Sequence, residues 1–175
     1  GLMITEKDEF IYHEMITHVP MAVNPNVSNV LVIGGGDGGT VRELTKYRTI
    51  EAIDLVEVDK HVVLLAKKYL PFTSAKLKDK RVKVWFEEGL RYVRGKKAEY
   101  DLIIVDSSDP YGPAEGFFTR EFYGTCFKAL RDDGILINQH ESPFYAAHQK
   151  SVRDAHRHIV MEFPVSTVYQ CHIPS

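Results

Sequence analysis

Apolar residues in this chain follow two alternating rhythms. Short runs of aliphatic and β-branched residues occupy positions 30–33, 52–58, 82–86, 102–105, 135–138 and 165–173, several of them closing on an acidic or turn-forming residue. Runs of this length and composition predict buried strands. Between them the apolar spacing lengthens to three or four. Residues 8–19 carry Phe10, Ile11 and Met15 toward one side, and Pro20 and Pro25 bracket a linker into the first strand. Val41 and Leu44 suit a helix packed on the sheet, residues 60–70 are helical up to Pro71, and a brief helix follows Glu87-Glu88-Gly89. Phe122, Tyr123, Cys126, Phe127 and Leu130 mark a helical face that Gly134 ends, and Ser142-Pro143 forms an N-cap and N1 pair for one more helix. Strand and helix alternate along the whole chain, which predicts an α/β fold: a doubly wound, mostly parallel sheet with helices on both faces.

In such sheets ligands bind beyond the carboxyl ends of the strands. Asp37, Glu57, Glu88, Asp106 and Gln139 each fall just after a predicted strand, so five polar side chains converge on one rim. The first strand runs into Gly34-Gly35-Gly36-Asp37-Gly38-Gly39, where Gly34, Gly36 and Gly39 fit the G-x-G-x-x-G spacing of a nucleotide-binding turn. Asp37 does not suit a dinucleotide, because its carboxylate would repel a pyrophosphate. A phosphate-free cation such as a nucleoside sulfonium removes that conflict. Glu57, 21 residues after Gly36, is placed to accept from both ribose hydroxyls. Glu88-Gly89 offers a carboxylate to the adenine amine and room for its ring; a solvated acidic turn explains the same pair. Asp106-Ser107-Ser108-Asp109-Pro110 reads as a rigid turn whose carboxylates either cap it or bind substrate. With Asp37 on the same rim they make a focused negative site suited to an amine, and a carboxylate there can bind the ammonium and accept its proton.

Composition narrows the picture. The 175 residues suit one domain, and 44% hydrophobic content supplies a core. A net charge of −2 and a pI near 6.5 give no nucleic-acid surface. Cys126 and Cys171 form no C-x-x-C pair and read as reduced, buried packing residues of a cytoplasmic protein. No apolar run is long enough to span a bilayer. The eight histidines include no H-E-x-x-H pair, so no metal is expected, and Ser107 and Ser108 lack the setting of a hydrolase nucleophile.

Three stretches together resemble the spermidine synthase family of aminopropyltransferases: 5–15 (Thr-Glu-Lys-Asp-Glu-Phe-Ile-Tyr-His-Glu-Met), 34–39, and 106–113 (Asp-Ser-Ser-Asp-Pro-Tyr-Gly-Pro). The resemblance implies a Rossmann-like sheet of the S-adenosylmethionine-dependent methyltransferase type. It implies transfer of an aminopropyl group from decarboxylated S-adenosylmethionine, as co-substrate, to putrescine, giving spermidine and methylthioadenosine without a tightly bound cofactor. It implies Asp106 as catalytic base, with Tyr12, His13, Asp37, Ser107, Ser108, Asp109 and Gln139 around the substrate amines. Gly34, Gly36, Glu57, Val58, Glu88, Gly89 and Pro113 would surround the nucleoside. The family usually carries Asp where this chain has Glu88. It also has an N-terminal β-hairpin domain before Thr5 and a further segment after Ser175, so residues 1–25 read as a junction and 26–175 as a catalytic domain lacking its last strand. A homodimer or homotetramer is expected at full length. A diamine N-methyltransferase, an NAD-dependent dehydrogenase and a non-catalytic polyamine- or nucleoside-binding domain are the competing readings. Asp37 disfavours the first two.

Overall fold

The computed structural model describes residues 6–107 and 112–173, the side chains of 112 and 113 excepted. Five strands, β1 (Asn29–Gly34), β2 (Ala52–Val56), β3 (Val82–Trp85), β4 (Tyr100–Asp106) and β5 (Leu130–Asn138), form one sheet in the order β3-β2-β1-β4-β5, with every pairing parallel. Around it lie α1 (Glu9–Val23), α2 (Gly39–Leu44), α3 (Lys60–Tyr69), α4 (Pro71–Ser74), α5 (Gly89–Val93), α6 (Arg120–Ala129) and α7 (Gln149–Glu162).

The continuous apolar runs follow from burial on both sides of the sheet. Val30 and Val32 of β1 with Leu102 and Ile104 of β4 face a core that Ile16 of α1, Val41 and Leu44 of α2 and Val63 of α3 complete. Leu31 and Ile33 with Ile103 and Val105 face the opposite core, closed by Val93 of α5 and by Phe122, Tyr123 and Cys126 of α6. A two-layer core of this kind fixes the strands rigidly, and all five end at the same rim.

Several sequence expectations are corrected. α1 runs through Pro20 to Val23, because a proline near the helix end forfeits one bond while its own carbonyl still accepts from Asn24 N–H at 3.0 Å. Its buried side is His13, Ile16, Thr17, Pro20 and Met21 rather than Phe10, Ile11 and Met15; Phe10 is 45% exposed. α6 stops at Ala129, ahead of Gly134: Leu130 pairs with Tyr100, and the ladder resumes only at Ile135 opposite Leu102, so the intervening residues bulge outward. Ser142-Pro143 makes a local turn, with Ser142 Oγ accepting from Phe144 N–H at 3.4 Å, and α7 begins at Gln149. Residues 165–173 form no strand. Their β-branched pattern needs a neighbouring strand, and none pairs with them among the described residues; Val165 is 80% exposed and Tyr169 Oη is tied to the Met15 carbonyl. Cys171 lies on this surface segment and is exposed, while Cys126 is buried as expected.

Candidate active site

β1 is flanked by β2 on one side and β4 on the other, so the chain reverses its direction of travel across the sheet there, and the switch point opens between the ends of β1 and β4. Gly34 and Asp106 face each other across it. Gly34 has φ +82°, and a Cβ at that position would sit 2.1 Å from the Asp106 carbonyl oxygen. The following glycines make room for functional side chains of the chain itself. A Cβ on Gly35 would meet Asp106 Oδ2 at 2.5 Å, one on Gly36 would meet Glu57 Oε2 at 2.7 Å, and one on Gly39 would strike the His13 ring at 2.2 Å.

Asp106 ends β4 with its carboxylate held at both oxygens. Tyr12 Oη of α1 donates to Oδ1 at 2.6 Å, and Thr40 Oγ1 of α2 donates to Oδ2 at 2.6 Å. Burial and the adjacent Asp106 charge push the Tyr12 phenol well above its ordinary range, so it remains a donor. His13, 2% exposed, lies one residue on in α1; its Nδ1 is hydrogen-bonded with Glu9, one turn earlier, and its Nε2 is 3.5 Å from Asp37 Oδ2. Arg42 grips both Glu9 oxygens, at 2.7 and 3.0 Å. One ligand atom each from His13, Asp37 and Asp106 lie within 4.8 Å of one another. Asp37 is pushed up to about 6, first by burial and then by the Asp106 charge, with His13 and a backbone bond from Gly39 opposing. Tyr12, His13, Asp37 and Asp106, separated by up to 94 residues, thus form one cluster.

The remaining expected residues surround it less closely. Glu57, at the end of β2, accepts from Gly36 N–H at 3.2 Å and Asp59 N–H at 3.0 Å, and burial raises its carboxyl. The Gly36 N–H that a pyrophosphate would need is therefore bound to a carboxylate. Val58 beside it is exposed. Glu88 caps α5, accepting from Leu90 and Arg91 N–H at 2.8 and 2.7 Å, so both oxygens already serve the helix. Space beside Gly89 is filled by Ile33 and Phe117, against which a Cβ would lie at 2.4 and 3.1 Å. Gln139 follows β5, its N–H bonded to the Val105 carbonyl at 3.2 Å, and Ser107 follows Asp106 at the rim. Ser108, Asp109 and the side chain of Pro113 lie outside the described residues. Thr40, Glu9 and Arg42 were missed. Only the four-residue spacing of Glu9 and His13 on one helix hints at their contact.

A shallow hollow of about 450 Å³, bordered by Thr45, Tyr47, Asp79 and Arg81, lies ahead of β2 and β3, at the opposite rim. There Arg81 is spent on Asp79 and on the carbonyls of Thr45, Tyr47 and Ile50. No helix among the described residues is long and apolar enough to cross a membrane.

The chain and its fold have counterparts among known proteins. The chain is 75% identical over 174 residues to the polyamine aminopropyltransferase of Lachnoclostridium phytofermentans and 66% identical to that of Alkaliphilus oremlandii. Each alignment takes in 99% of this chain but only 62% and 61% of the relatives' own lengths. Among solved structures, spermidine synthase from Thermotoga maritima superposes with a TM-score of 0.88 at 44% identity, over 98% of this chain and 56% of that one. A spermidine synthase in complex with the transition-state analogue AdoDATO gives 0.88 at 47% identity, over 93% of this chain and 55% of that one. These neighbours share the Rossmann-like methyltransferase fold. The model of the spermine/spermidine synthase domain matches residues 9–175, and the chain belongs to that family.

Proposed function

We propose that this site transfers the aminopropyl group of decarboxylated S-adenosylmethionine to putrescine, with Asp106 as the base. The observation that carries the reading is the convergence of His13, Asp37 and Asp106 within 4.8 Å. A primary ammonium group presents three N–H bonds in a tripod, and acceptors receiving them at hydrogen-bond distance stand about 4.6 Å apart. The three ligand atoms fall within that reach, His13 Nε2 and Asp37 Oδ2 standing closer at 3.5 Å, at a rim where the glycine turn has no N–H to spare at Gly36 for a phosphate.

Chemistry follows from the charges. Asp106 takes a proton from the acceptor ammonium, freeing the nitrogen lone pair. The amine attacks the aminopropyl carbon bonded to the sulfonium, a C–N bond forms, and the C–S bond breaks. The electron pair goes to sulfur, which leaves as the neutral thioether of methylthioadenosine. A sulfonium needs neither acid nor metal to depart, so orientation and deprotonation are the contributions required of the protein. Tyr12 and Thr40 fix the plane of the base, Glu57 is placed for the ribose, and Gln139 lies toward the diamine. Glu88 and Gly89 border the adenine side through the cap and packing described above.

The test is incubation with putrescine and decarboxylated S-adenosylmethionine, followed by mass spectrometry. Spermidine and methylthioadenosine are expected, and chelation of divalent metals leaves the yield unchanged. Asp106→Asn lowers turnover at least about 100-fold. Methylputrescine formed from intact S-adenosylmethionine, or a near-native rate for Asp106→Asn, overturns the reading.

A further inference from the structure

Arg42 and Glu9 have no place in that reaction as written, yet they continue without a break from His13 as a hydrogen-bonded chain. Arg42 is immobilised from three sides: its Nε donates to Glu43 at 2.8 Å, its Nη1 to the Phe72 carbonyl at 3.2 Å, and both terminal nitrogens to Glu9. Glu9 is 6% exposed in its side chain and His13 2%. Burial alone would raise the Glu9 carboxyl, but the hydrogen bonds from Arg42 and His13, together with the Arg42 charge, outweigh it and hold it below its ordinary value. An ionised carboxylate only accepts hydrogen bonds. The His13 nitrogen facing it, Nδ1, must therefore carry a proton, and in a neutral imidazole that leaves Nε2 with a lone pair.

We propose that Glu9 and Arg42 are positioning residues: Arg42 keeps Glu9 an acceptor, and Glu9 fixes the His13 tautomer so that Nε2 faces Asp37 and Asp106 as the third acceptor for a substrate ammonium group. The opposite tautomer would aim an N–H at Asp37, 3.5 Å away, and spend on the protein an oxygen the ligand needs. Ring rotation is no escape. The imidazole lies against Gly39, where even a Cβ would be 2.2–2.5 Å from its atoms, and Tyr12 packs edge-on to it with centroids 5.2 Å apart. The ammonium half of this inference rests on the aminopropyltransferase reading; the tautomer does not.

Two measurements decide it separately. In the ¹⁵N-histidine-labelled chain at pH 8, long-range proton–nitrogen spectra, with the His13 signal identified by its loss in His13→Gln, should show Nδ1 protonated and Nε2 bare. In Glu9→Gln the Gln carbonyl stays with Arg42 and its NH2 turns to Nδ1, so the pattern should invert. Binding should then discriminate between ligands: Glu9→Gln and Arg42→Gln weaken decarboxylated S-adenosylmethionine by about 10-fold or more, while methylthioadenosine, which has no amine, stays within about 2-fold. Arg42→Lys, which restores a cation beside Glu9, should recover most of the loss. A bare Nδ1 in the unmodified chain overturns the proposal even if the variants fail to fold, and so do equal losses for the two nucleosides. If the unmodified chain binds neither nucleoside, the aminopropyltransferase reading falls, while the imidazole spectrum still decides the tautomer.

Discussion

Thr40 is a helix residue whose hydroxyl reaches the end of a strand to hold a carboxylate. It is fully buried, and its hydroxyl donates to one Asp106 oxygen at 2.6 Å while Tyr12 donates to the other. Each donor removes rotational freedom from the carboxylate and leaves its remaining lone pairs aimed at the cluster. Thr40→Val keeps the shape and deletes one donor. Turnover should fall by about 3- to 10-fold with little change in thermal stability, and Thr40→Ser should restore most of it. A steady-state rate for the three proteins checks this. Asp37, Glu57 and Asp106 were legible in the sequence because a carboxylate just after a strand has few places to go other than the rim. Thr40 and Arg42 were not. Each looks like an ordinary helix residue until the fold brings in a partner 66 or 33 positions away. Glu88 was legible as to place, but its oxygens are already occupied as a helix cap, which spacing alone does not reveal.

The unit formed by β1, the glycine turn and α2 was the most readable element, yet the reason for its glycines was not. A nucleotide-binding spacing suggests that the missing side chains make way for a ligand. In this fold Gly35, Gly36 and Gly39 make way for Asp106, Glu57 and His13. Gly39→Ala therefore must push the His13 ring off Glu9 and Asp37. An overpacked site of this kind costs about 1–3 kcal/mol, and the melting temperature should drop by several degrees together with the loss of amine binding. Gly116→Ala is the control, since a Cβ there meets nothing within 4 Å and its melting temperature should not move. The elements misread from sequence share one physical cause. Residues 165–173 and the Ser142-Pro143 pair carry strong local preferences, but local preference yields to whatever neighbours the fold supplies. β5 was placed correctly over 135–138 because there its apolar side chains and its ladder to β4 agree.

For the molecule as a whole, the neighbouring carboxylates carry a stability cost that depends on pH. Half-buried Asp37 has a carboxylate oxygen within 4.8 Å of one on Asp106, and its carboxyl is pushed up to about 6. In the unfolded chain it returns to near 3.8. Between those values the folded state holds the extra proton, so stability from this group is greatest below pH 4, falls as pH rises toward 6, and stays low above it. Glu9 works in the opposite sense: its lowered carboxyl gives stability above its ordinary range near 4.5 that is lost in more acidic solution. The difference between the parent chain and Asp37→Asn cancels Glu9 and isolates Asp37. Asn keeps a carbonyl for the Gly39 N–H and removes the charge. At pH 7.5 the variant should be more stable by up to about 3 kcal/mol, or roughly 8 °C in melting temperature, and the gap should close as pH falls from 6 to 4. Saturating decarboxylated S-adenosylmethionine should narrow the gap at pH 7.5 as well, because the ligand cation neutralises Asp37 in the parent and finds no carboxylate in the variant. A constant gap across pH would mean that Asp37 is not the repelled carboxylate.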